Sequence, residues 1–332
     1  IMADLKTKYM GLELRSPIIA GSCGLTSDVE KMVEMEKAGV GAVVLKSIFE
    51  EQINEEISGV FKAGYGMGDA YPEAEDYIKA YIRSNTIQKY VELVRNAKSR
   101  LTIPVIASVN CFSGGEWVSF ARQLEEAGAD ALELNVFILP VNEFKESAEV
   151  ENVYFEIVKS IKSQIKIPVS VKISHYFTNL SAFVDKIKAY GANATTLFNR
   201  FYEPDININT LEMGAASVFS TAAELRTTLR WTGILAGKDK RLEISASTGV
   251  HGGEAAVKLL LAGATTVQVC SVLYEKGIHV IEDINNFIGK WMDSKAFKTI
   301  EDYRGMLSYS SIENPDLYER AQFMKYFSNK QY

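Results

Sequence analysis

The sequence predicts an α/β fold, a (β/α)8 TIM barrel, and three observations lead to this prediction. Eight short apolar runs alternate with helical patterns along the chain. Glycine follows four of the helical patterns, directly before the next apolar run, where helices commonly end. Pro17, Pro104 and Pro168 begin three of the runs, where a missing N–H is tolerated. Eight strand–helix units in series are typical of this barrel, and no glycine-rich turn follows the first strand to indicate a doubly wound sheet.

The eight units can be placed from the periodicity of their apolar residues. The first four predicted strands cover residues 17–21, 41–47, 104–110 and 131–135, with helices near 28–38, 86–99, 116–127 and 149–163. The next two cover 168–174 and 194–199, with helices near 180–190 and 221–231, and the last two begin at Leu242 and Thr265, with helices near 254–262 and 278–291. Residues 48–85 and 200–241 are then long loops after strands 2 and 6, and loops of that length usually form lids or substrate walls.

Composition limits the class of protein. A chain of 332 residues, 47% hydrophobic and 23% charged, can bury one large core, and since no linker interrupts it we expect residues 1–332 to form a single domain. The net charge of −6 argues against nucleic-acid binding, which requires clustered lysine and arginine. No apolar run approaches the roughly 20 residues that span a bilayer, and no signal peptide opens the chain, so no membrane contact is expected. The three cysteines lack CxxC spacing, which excludes an iron–sulphur cluster built from this chain alone and favours a reducing cytoplasm.

Polar residues or glycine end the first six predicted strands. In a barrel of this kind, residues at the C-terminal ends of strands point into the active site. Buried parallel strands avoid lysine and asparagine unless a ligand satisfies them. Two lysines would favour an anionic ligand state, such as a reduced flavin or an enolate-like intermediate, and asparagine amides suit a ring with alternating N–H and C=O groups. The residues concerned are Gly21, Lys46, Ser47, Asn110, Asn135, Lys172, Ser174 and Asn199.

The last two predicted strands break into small residues and then open helical patterns. One break surrounds Gly249, and the other follows Cys270 and Ser271. Such breaks present backbone N–H groups and helix N-termini to an anion, and the loops after strands 7 and 8 of a barrel are its usual phosphate site. We therefore expect the phosphate of a cofactor here. His251 lies within the first break, where a backbone role is favoured over catalysis, and the sequence contains neither a metal-ligand cluster nor a Ser/His/Asp arrangement.

Taken in their order along the chain, these strand-end and turn motifs resemble those of the FMN-dependent dihydroorotate dehydrogenases and of the related flavin domain of dihydropyrimidine dehydrogenases. The resemblance covers nearly the whole chain. Its most specific part is the phrase Ala-Asp-Ala-Leu-Glu-Leu-Asn that ends at Asn135, followed on the next strand by Val-Lys at Lys172. The other matching pieces are residues 17–21, 44–47, 104–108, 199, 248–250 and 267–269.

The resemblance implies FMN as the cofactor and assigns roles to individual residues. Lys172 would lie near the N1–C2=O edge of the flavin and steady the negative charge of the reduced ring, and Lys46 would be the second catalytic lysine. Substrate would be bound by Lys46, Asn135, Asn199 and Arg200. The cofactor-binding set would be Ala20, Gly21, Lys46, Ser47, Asn110, Asn135, Lys172, Asn199, Gly249, Val250, Cys270 and Ser271, of which the last four would offer N–H groups to the phosphate.

The chain departs from the family where the catalytic base is expected. The family motif after strand 4 reads Asn-x-Ser-Cys/Ser-Pro-Asn, with Cys or Ser as the base, whereas Phe137 and an isoleucine stand here and neither accepts a proton. His175, at the mouth of strand 5, is the first alternative because histidine titrates near neutral pH, and a structural role for it stays open. Cys111 after strand 3 is a weaker alternative. Arg200 either binds a substrate carboxylate or pairs with Glu203.

The function that the resemblance implies is oxidation of dihydroorotate, or a related dihydropyrimidine, to orotate by hydride transfer to flavin N5, in pyrimidine biosynthesis. Two alternatives remain open: a flavin reductase of another substrate, and a non-catalytic barrel that binds FMN or phosphate. The resemblance also leaves room for a separate electron-transfer subunit and for a homodimer. We expect a cytoplasmic enzyme.

Overall fold

Thirteen strands are found in the part of the chain that the structure, a computed structural model, describes: residues 3–49, 53, 72–110 and 115–320. They are β1 (Thr7–Tyr9), β2 (Leu12–Leu14), β3 (Ile18–Ala20), β4 (Ala42–Val44), β5 (Ile48–Phe49), β6 (Val105–Asn110), β7 (Ala131–Asn135), β8 (Val169–Ile173), β9 (Ala194–Leu197), β10 (Pro204–Asn207), β11 (Glu212–Ala215), β12 (Glu243–Ala246) and β13 (Thr266–Val269).

Eight of these strands close into a parallel barrel. Neighbours pair in the order β4, β3, β13, β12, β9, β8, β7 and β6, and β4 pairs with β6 to complete the circle. The predicted (β/α)8 barrel is therefore confirmed. Each predicted barrel strand overlaps an observed one, although the observed strands are shorter at one or both ends in most cases.

Helices surround the barrel, because their apolar faces cover the outward-facing side chains of the strands in one large core cluster. Asp28 and Asn179 cap two of them by accepting backbone N–H bonds at their first turns, and Gly263 ends a third with a φ of 117°. The described helices are α1 (Val29–Lys37), α2 (Pro72–Arg100), α3 (Gly115–Glu126), α4 (Ser147–Lys162), α5 (Leu180–Ala189), α6 (Leu225–Lys238), α7 (Gly253–Ala262), α8 (Ser271–Lys276), α9 (Val280–Ser294) and α10 (Asp316–Glu319).

The interior of the barrel is apolar at one end and polar at the other. The antiparallel hairpin of β1 and β2 places Tyr9, Met10 and Leu14 against small and branched residues of the barrel strands, which closes the N-terminal end. Above this plug the inward positions are polar, and they include the buried Glu133 and Gln268. Within the barrel itself, the described residues therefore leave room for a ligand at the C-terminal end, where the strand-end residues lie.

The two long loops differ from the prediction. Helix α2 begins at Pro72, well before the predicted 86, so part of the expected loop after strand 2 is helical, and residues 50–52 and 54–71 lie outside the described residues. The loop after strand 6 contains the exposed antiparallel hairpin of β10 and β11, and its helix α6 runs to Lys238 rather than 231. In the described part of the chain, every helix is too short or too polar to cross a membrane.

Candidate active site

A cavity of about 350 Å³ opens at the C-terminal ends of the barrel strands. Its wall combines β8, the segment after β9, the turn after β12 and the start of α8. Seven of the predicted site residues line it: Lys172, Asn199, Arg200, Gly249, Val250, Cys270 and Ser271. The topology thus brings together residues that are up to about a hundred positions apart in the sequence.

Lys172 is the buried cation of this cavity. Its Nζ lies 3.7 Å from Glu133 Oε1 and donates a hydrogen bond to Gln268 Oε1 at 3.2 Å. Gln268 Nε2 and Thr196 Oγ1 donate to the other carboxylate oxygen, Glu133 Oε2, at 2.7 and 2.9 Å. All four side chains are buried, so the ion pair and these bonds hold the ammonium group in one place. Glu133 and Gln268 were not predicted as site residues, although both stand inside phrases that carry the family resemblance.

The turn after β12 and the end of β13 form a cradle of backbone N–H groups. Within the described residues, the N–H groups of Gly249, Val250, Cys270 and Ser271 donate to no acceptor. Gly249 has a φ of 78°, and a Cβ atom there would collide with the backbone nitrogen of Leu225 at the start of α6. Only glycine fits this position, and unpaired N–H groups that face a cavity suit an anion such as phosphate.

Hydroxyl and amide groups connect the remaining strand ends. Ser22 Oγ and Ser47 Oγ lie 3.0 Å apart, and Ser47 Oγ lies 2.7 Å from Ser108 Oγ. Asn199 Nδ2 donates to Asn135 Oδ1 at 2.7 Å. Asn110 is buried, and its Oδ1 has no hydrogen-bond partner among the described residues. A buried, unpaired acceptor at the C-terminal end of a barrel strand is unfavourable by itself and indicates a position where a ligand can donate.

Several predicted residues lie elsewhere than expected. Lys46 is exposed, because β4 ends at Val44 and Lys46 follows it in the segment toward β5, so the expected pair of buried lysines is wrong. Ala20 packs outward in the core under the helices. Gly21 lies beneath Gln268, whose Oε1 would be 3.2 Å from a Cβ atom there. Cys111 lies outside the described residues.

Arg200 is engaged by carboxylates of its own chain. Its Nε donates to Glu224 Oε1 at 2.9 Å, and its Nη2 lies 3.4 Å from Glu203 Oε2. Its Nη1 donates to the Val218 carbonyl at 2.9 Å. The pairing with Glu203 that the sequence left open is present, and a second carboxylate that was not predicted binds more closely.

A hydrogen-bonded chain closes the outer side of the cradle. His251 Nδ1 lies 3.1 Å from Glu275 Oε2, and His251 Nε2 lies 3.2 Å from Ser220 Oγ. The Ser220 N–H group also donates to Ser271 Oγ at 3.0 Å. His251 therefore links its own turn to helix α8 and to the loop before α6 through its side chain, whereas the sequence favoured a backbone role for it.

Two thiols meet beside the cradle. Cys23 follows β3 and Cys270 ends β13, and these strands are neighbours in the barrel. A hydrogen bond from Cys270 lowers the pKa of the Cys23 thiol to about 6, although burial opposes the shift. The same contact, with burial, raises the pKa of Cys270.

A second cavity of about 480 Å³ adjoins the first and shares Asn199 and Arg200 with it. His175 and Phe137 both line this second cavity, whereas Lys172 lines the first. The side chain of His175 is largely exposed. The part of it that is buried loses hydration, which lowers the pKa of the imidazole, so the neutral form is favoured at pH 7.

The residues present suit a flavin with a phosphate tail. The cradle offers unpaired N–H groups and a turn that only glycine can form, Lys172 supplies a fixed positive charge, and Asn110 leaves a buried acceptor unpaired. In the part of the chain described here, no group of three or more His, Cys, Asp or Glu side chains could hold a metal ion.

Comparison with known proteins gives one consistent result. The profile of the family described as dihydroorotate dehydrogenase matches residues 4–292. A dihydroorotate dehydrogenase B (NAD+) catalytic subunit from Thermoplasma acidophilum is 30% identical over 311 residues, which cover 92% of this chain and 99% of that protein. The corresponding subunit from Thermoplasma volcanium is 27% identical, with the same two coverages. A putative dihydroorotate dehydrogenase A (fumarate) from Aeropyrum pernix is 27% identical over 91% of this chain and 97% of its own length.

Proposed function

This chain belongs to the dihydroorotate dehydrogenase family, and from that premise we propose that it is an FMN-dependent oxidoreductase that oxidises dihydroorotate or a related dihydropyrimidine. The family is one of oxidoreductases of pyrimidine biosynthesis. Bound FMN would supply a hydride acceptor at its N5 atom. The observation that carries the proposal is the buried Lys172, fixed by Glu133 and Gln268 in the same cavity as the N–H cradle.

Each part of the cavity has a task in this proposal. The N–H groups of Gly249, Val250, Cys270 and Ser271 bind the phosphate. The ammonium group of Lys172 stabilises negative charge on the reduced ring, and in a buried site such stabilisation is worth more than in water. The amide pair of Asn135 and Asn199 presents donors and acceptors to the ring of the substrate.

The proton acceptor in this proposal is His175. Its imidazole is neutral at pH 7 and lines the cavity that also contains Phe137, which is incapable of accepting a proton. His175 touches Tyr176 and Phe198 through ring contacts at 4.4 and 5.7 Å, which restrict its orientation. Replacing it by glutamine should leave FMN binding unchanged and slow reduction of the flavin by substrate by about 10²-fold or more.

The partners follow from the same premise. Several relatives are named catalytic subunits, which implies a further subunit in those proteins. We propose a separate electron-transfer subunit for this chain as well, together with a homodimer of single-domain chains.

Anaerobic titration tests the proposed reaction. Protein reconstituted with FMN is mixed with dihydroorotate in the absence of oxygen, and the visible absorbance of the flavin is followed. Bleaching with formation of orotate supports the proposal. FMN that binds and is bleached by neither dihydroorotate nor an uncharged dihydropyrimidine (dihydrouracil, dihydroorotamide or its N-benzyl derivative) contradicts it, and colourless protein that does not take up FMN contradicts the cofactor.

Phe137 favours a second candidate function. Because this side chain stands where the family has its base, the barrel could reduce or oxidise a different ring with the same flavin. Reduction of bound FMN by NADH or dithionite, combined with no bleaching by any of these dihydropyrimidines, would favour this candidate over the first.

A further inference from the structure

The second cavity shares part of its aromatic wall with the first and extends that wall outward. Among the described residues, five aromatic side chains other than histidine line it, of which Phe137 and Tyr176 line this cavity alone, and Phe137 and Phe201 stack with ring centroids 3.7 Å apart. Tyr176 continues the stack at 5.9 Å from Phe201. Leu139 and Tyr176, each more than half exposed, form its rim. Such a wall offers apolar surface and ring faces, which are the main contributors to binding of a ring-shaped ligand.

The size of this cavity exceeds what a single six-membered ring needs. At about 480 Å³ it falls within the range that holds ligands several times larger than a dihydropyrimidine. It joins the first cavity along residues 198–203 and at Thr248, which line both. A ring placed against Asn199 could therefore extend a substituent toward Phe137.

Among the described residues, the charges around the second cavity disfavour an anion. Arg200 is paired with two carboxylates, Glu224 and Glu203, so these three groups together are negative. Although burial opposes it, hydrogen bonds from Thr221 and Arg200 hold the pKa of Glu224 below its usual value, which keeps this carboxyl charged. The neutral His175 adds no positive charge. A substrate carboxylate here would lose its hydration and meet net negative charge.

We propose that the substrate of this chain is an uncharged ring with an apolar substituent, held with the substituent in the second cavity. This inference rests on the proposed function, because it names the substrate class of the same site. It separates this chain from relatives named for dihydroorotate, which carries a carboxylate. Phe137, Phe201, Glu203 and Glu224 are the residues that determine this specificity.

Calorimetric titration with three ligands of one scaffold tests the proposal. Dihydroorotate is compared with dihydroorotamide, which has the same shape without the charge, and with N-benzyl dihydroorotamide, which adds an apolar arm. Each titration is run on FMN-loaded protein and on protein without added FMN. The amide should bind about tenfold more tightly than the acid, which corresponds to about 1.4 kcal/mol, and the benzyl amide about tenfold more tightly again.

Two sets of variants connect these differences to the second cavity. The double variant Glu203→Gln, Glu224→Gln should reduce the preference for the amide to less than about threefold, because Arg200 then faces no carboxylate. Glu212→Gln, an exposed carboxylate on β11, is the matched control and should keep the preference. Phe201→Ala should weaken the benzyl amide and leave the simple amide unchanged, whereas Phe144→Ala, an exposed phenylalanine of the loop after β7, should change neither.

The outcomes separate this inference from the proposed function. Equal or tighter binding of dihydroorotate, or no binding of any of the three ligands below millimolar concentration, overturns the inference. If dihydroorotate also bleaches the flavin, the proposed function survives that result. Tight binding of the amides to a protein whose FMN is never reduced by them supports the inference about recognition and contradicts the proposed oxidation.

Discussion

Glu133 is a carboxylate inside the barrel, and its charge acts on whatever Lys172 stabilises. The two groups lie 3.7 Å apart in a buried site, so the carboxylate offsets part of the positive charge that a reduced flavin would experience. Glu133→Gln keeps the hydrogen-bond acceptor for Gln268 and Thr196 but removes this offset. We expect the reduction potential of bound FMN to rise, on the order of 30 mV, which is about tenfold in the equilibrium constant of a two-electron couple.

Equilibration with redox dyes measures this potential. Lys172→Ala should shift it in the opposite direction, since the positive charge is then absent. Glu212→Gln, on the exposed hairpin, serves as the control and should leave the potential unchanged. A merely structural role for Glu133 would lower thermal stability without moving the potential, so an unchanged or lower potential in Glu133→Gln contradicts the assigned electrostatic role.

Cys23 should react as a thiolate well below the pH at which an ordinary cysteine does. Since the hydrogen bond from Cys270 lowers the pKa of Cys23 to about 6, its alkylation by iodoacetamide should rise through a midpoint near pH 6. Peptide mass spectrometry identifies the modified residue. In Cys270→Ala the hydrogen bond is lost and the midpoint should move toward the usual value of about 8.5. Faster modification of Cys270 than of Cys23 would contradict the direction of the bond.

Individual residues could be predicted from the sequence only where one strand determined their position. Lys172 was predicted because it ends an apolar strand and therefore points into the barrel mouth. Lys46 fits the same pattern, yet it lies beyond the end of β4 and is exposed, since the pattern does not show where a strand stops. Glu133 depends on Gln268, 135 positions away in the sequence, and Arg200 on Glu224, 24 positions away, and no local signal identifies such pairs.

At the scale of elements, the turn between β12 and α7 has no room for a side chain at Gly249. Gly249→Ala would place a Cβ atom against the start of α6 in a backbone with a φ of 78°. We expect a loss of about 1–3 kcal/mol in the free energy of unfolding and more than tenfold weaker FMN binding, because the cradle must shift to make room. Thermal denaturation and fluorescence titration with FMN measure the two effects.

Gly252 provides the matched control in the same turn. It has open space where a Cβ atom would lie, so Gly252→Ala should leave FMN binding unchanged. Because alanine is a poorer helix cap than glycine, we expect the free energy of unfolding to fall by about 1 kcal/mol or less. Normal FMN affinity in Gly249→Ala would show that the cradle does not hold the phosphate.

Elements with strong periodicity were predictable, and elements stabilised by their surroundings were not. The barrel strands are continuous apolar runs, so their existence and order follow from the pattern. The hairpin of β10 and β11 has one apolar face, where Ile206 pairs with Met213, but its strands have four residues each, too few for the alternation to be recognised in the sequence. Helix α8 has only six residues, too few for a helical period to be recognised.

The whole molecule divides into a closed apolar end and an open polar end, and only the second was predicted. Counting eight units is enough to predict a barrel, and a barrel must present its strand ends at one mouth. The plug formed by β1 and β2 does not follow from the barrel fold, and two strands of three residues each are too short to be recognised from the sequence pattern. It nevertheless decides where ligands can enter, because Tyr9, Met10 and Leu14 fill the other end.

The plug also makes stability depend on pH through Glu243 at the start of β12. This carboxylate accepts a hydrogen bond from the Met10 N–H group. Burial raises the pKa of Glu243, against the opposing effects of that bond and of Arg304 and Lys8. A raised pKa means that the folded state holds the proton more tightly than the unfolded chain. The stability that this proton contributes is complete below the ordinary carboxyl pKa of about 4.3 and is lost as the pH rises through the folded value.

Glu243→Gln should therefore stabilise the protein at pH 8 and make no difference near pH 4. The amide resembles the protonated acid and still accepts the Met10 bond, while the cost of a half-buried charge disappears. We expect a gain of no more than about 1 kcal/mol at pH 8, because part of the side chain remains in water. Thermal denaturation at the two pH values measures it, with Glu13→Gln, an exposed carboxylate on the same hairpin, as the control. A loss at pH 8 with no change near pH 4 would mean that the charged form of Glu243 is the favourable one, and that the plug is held by an ion pair rather than by a buried proton.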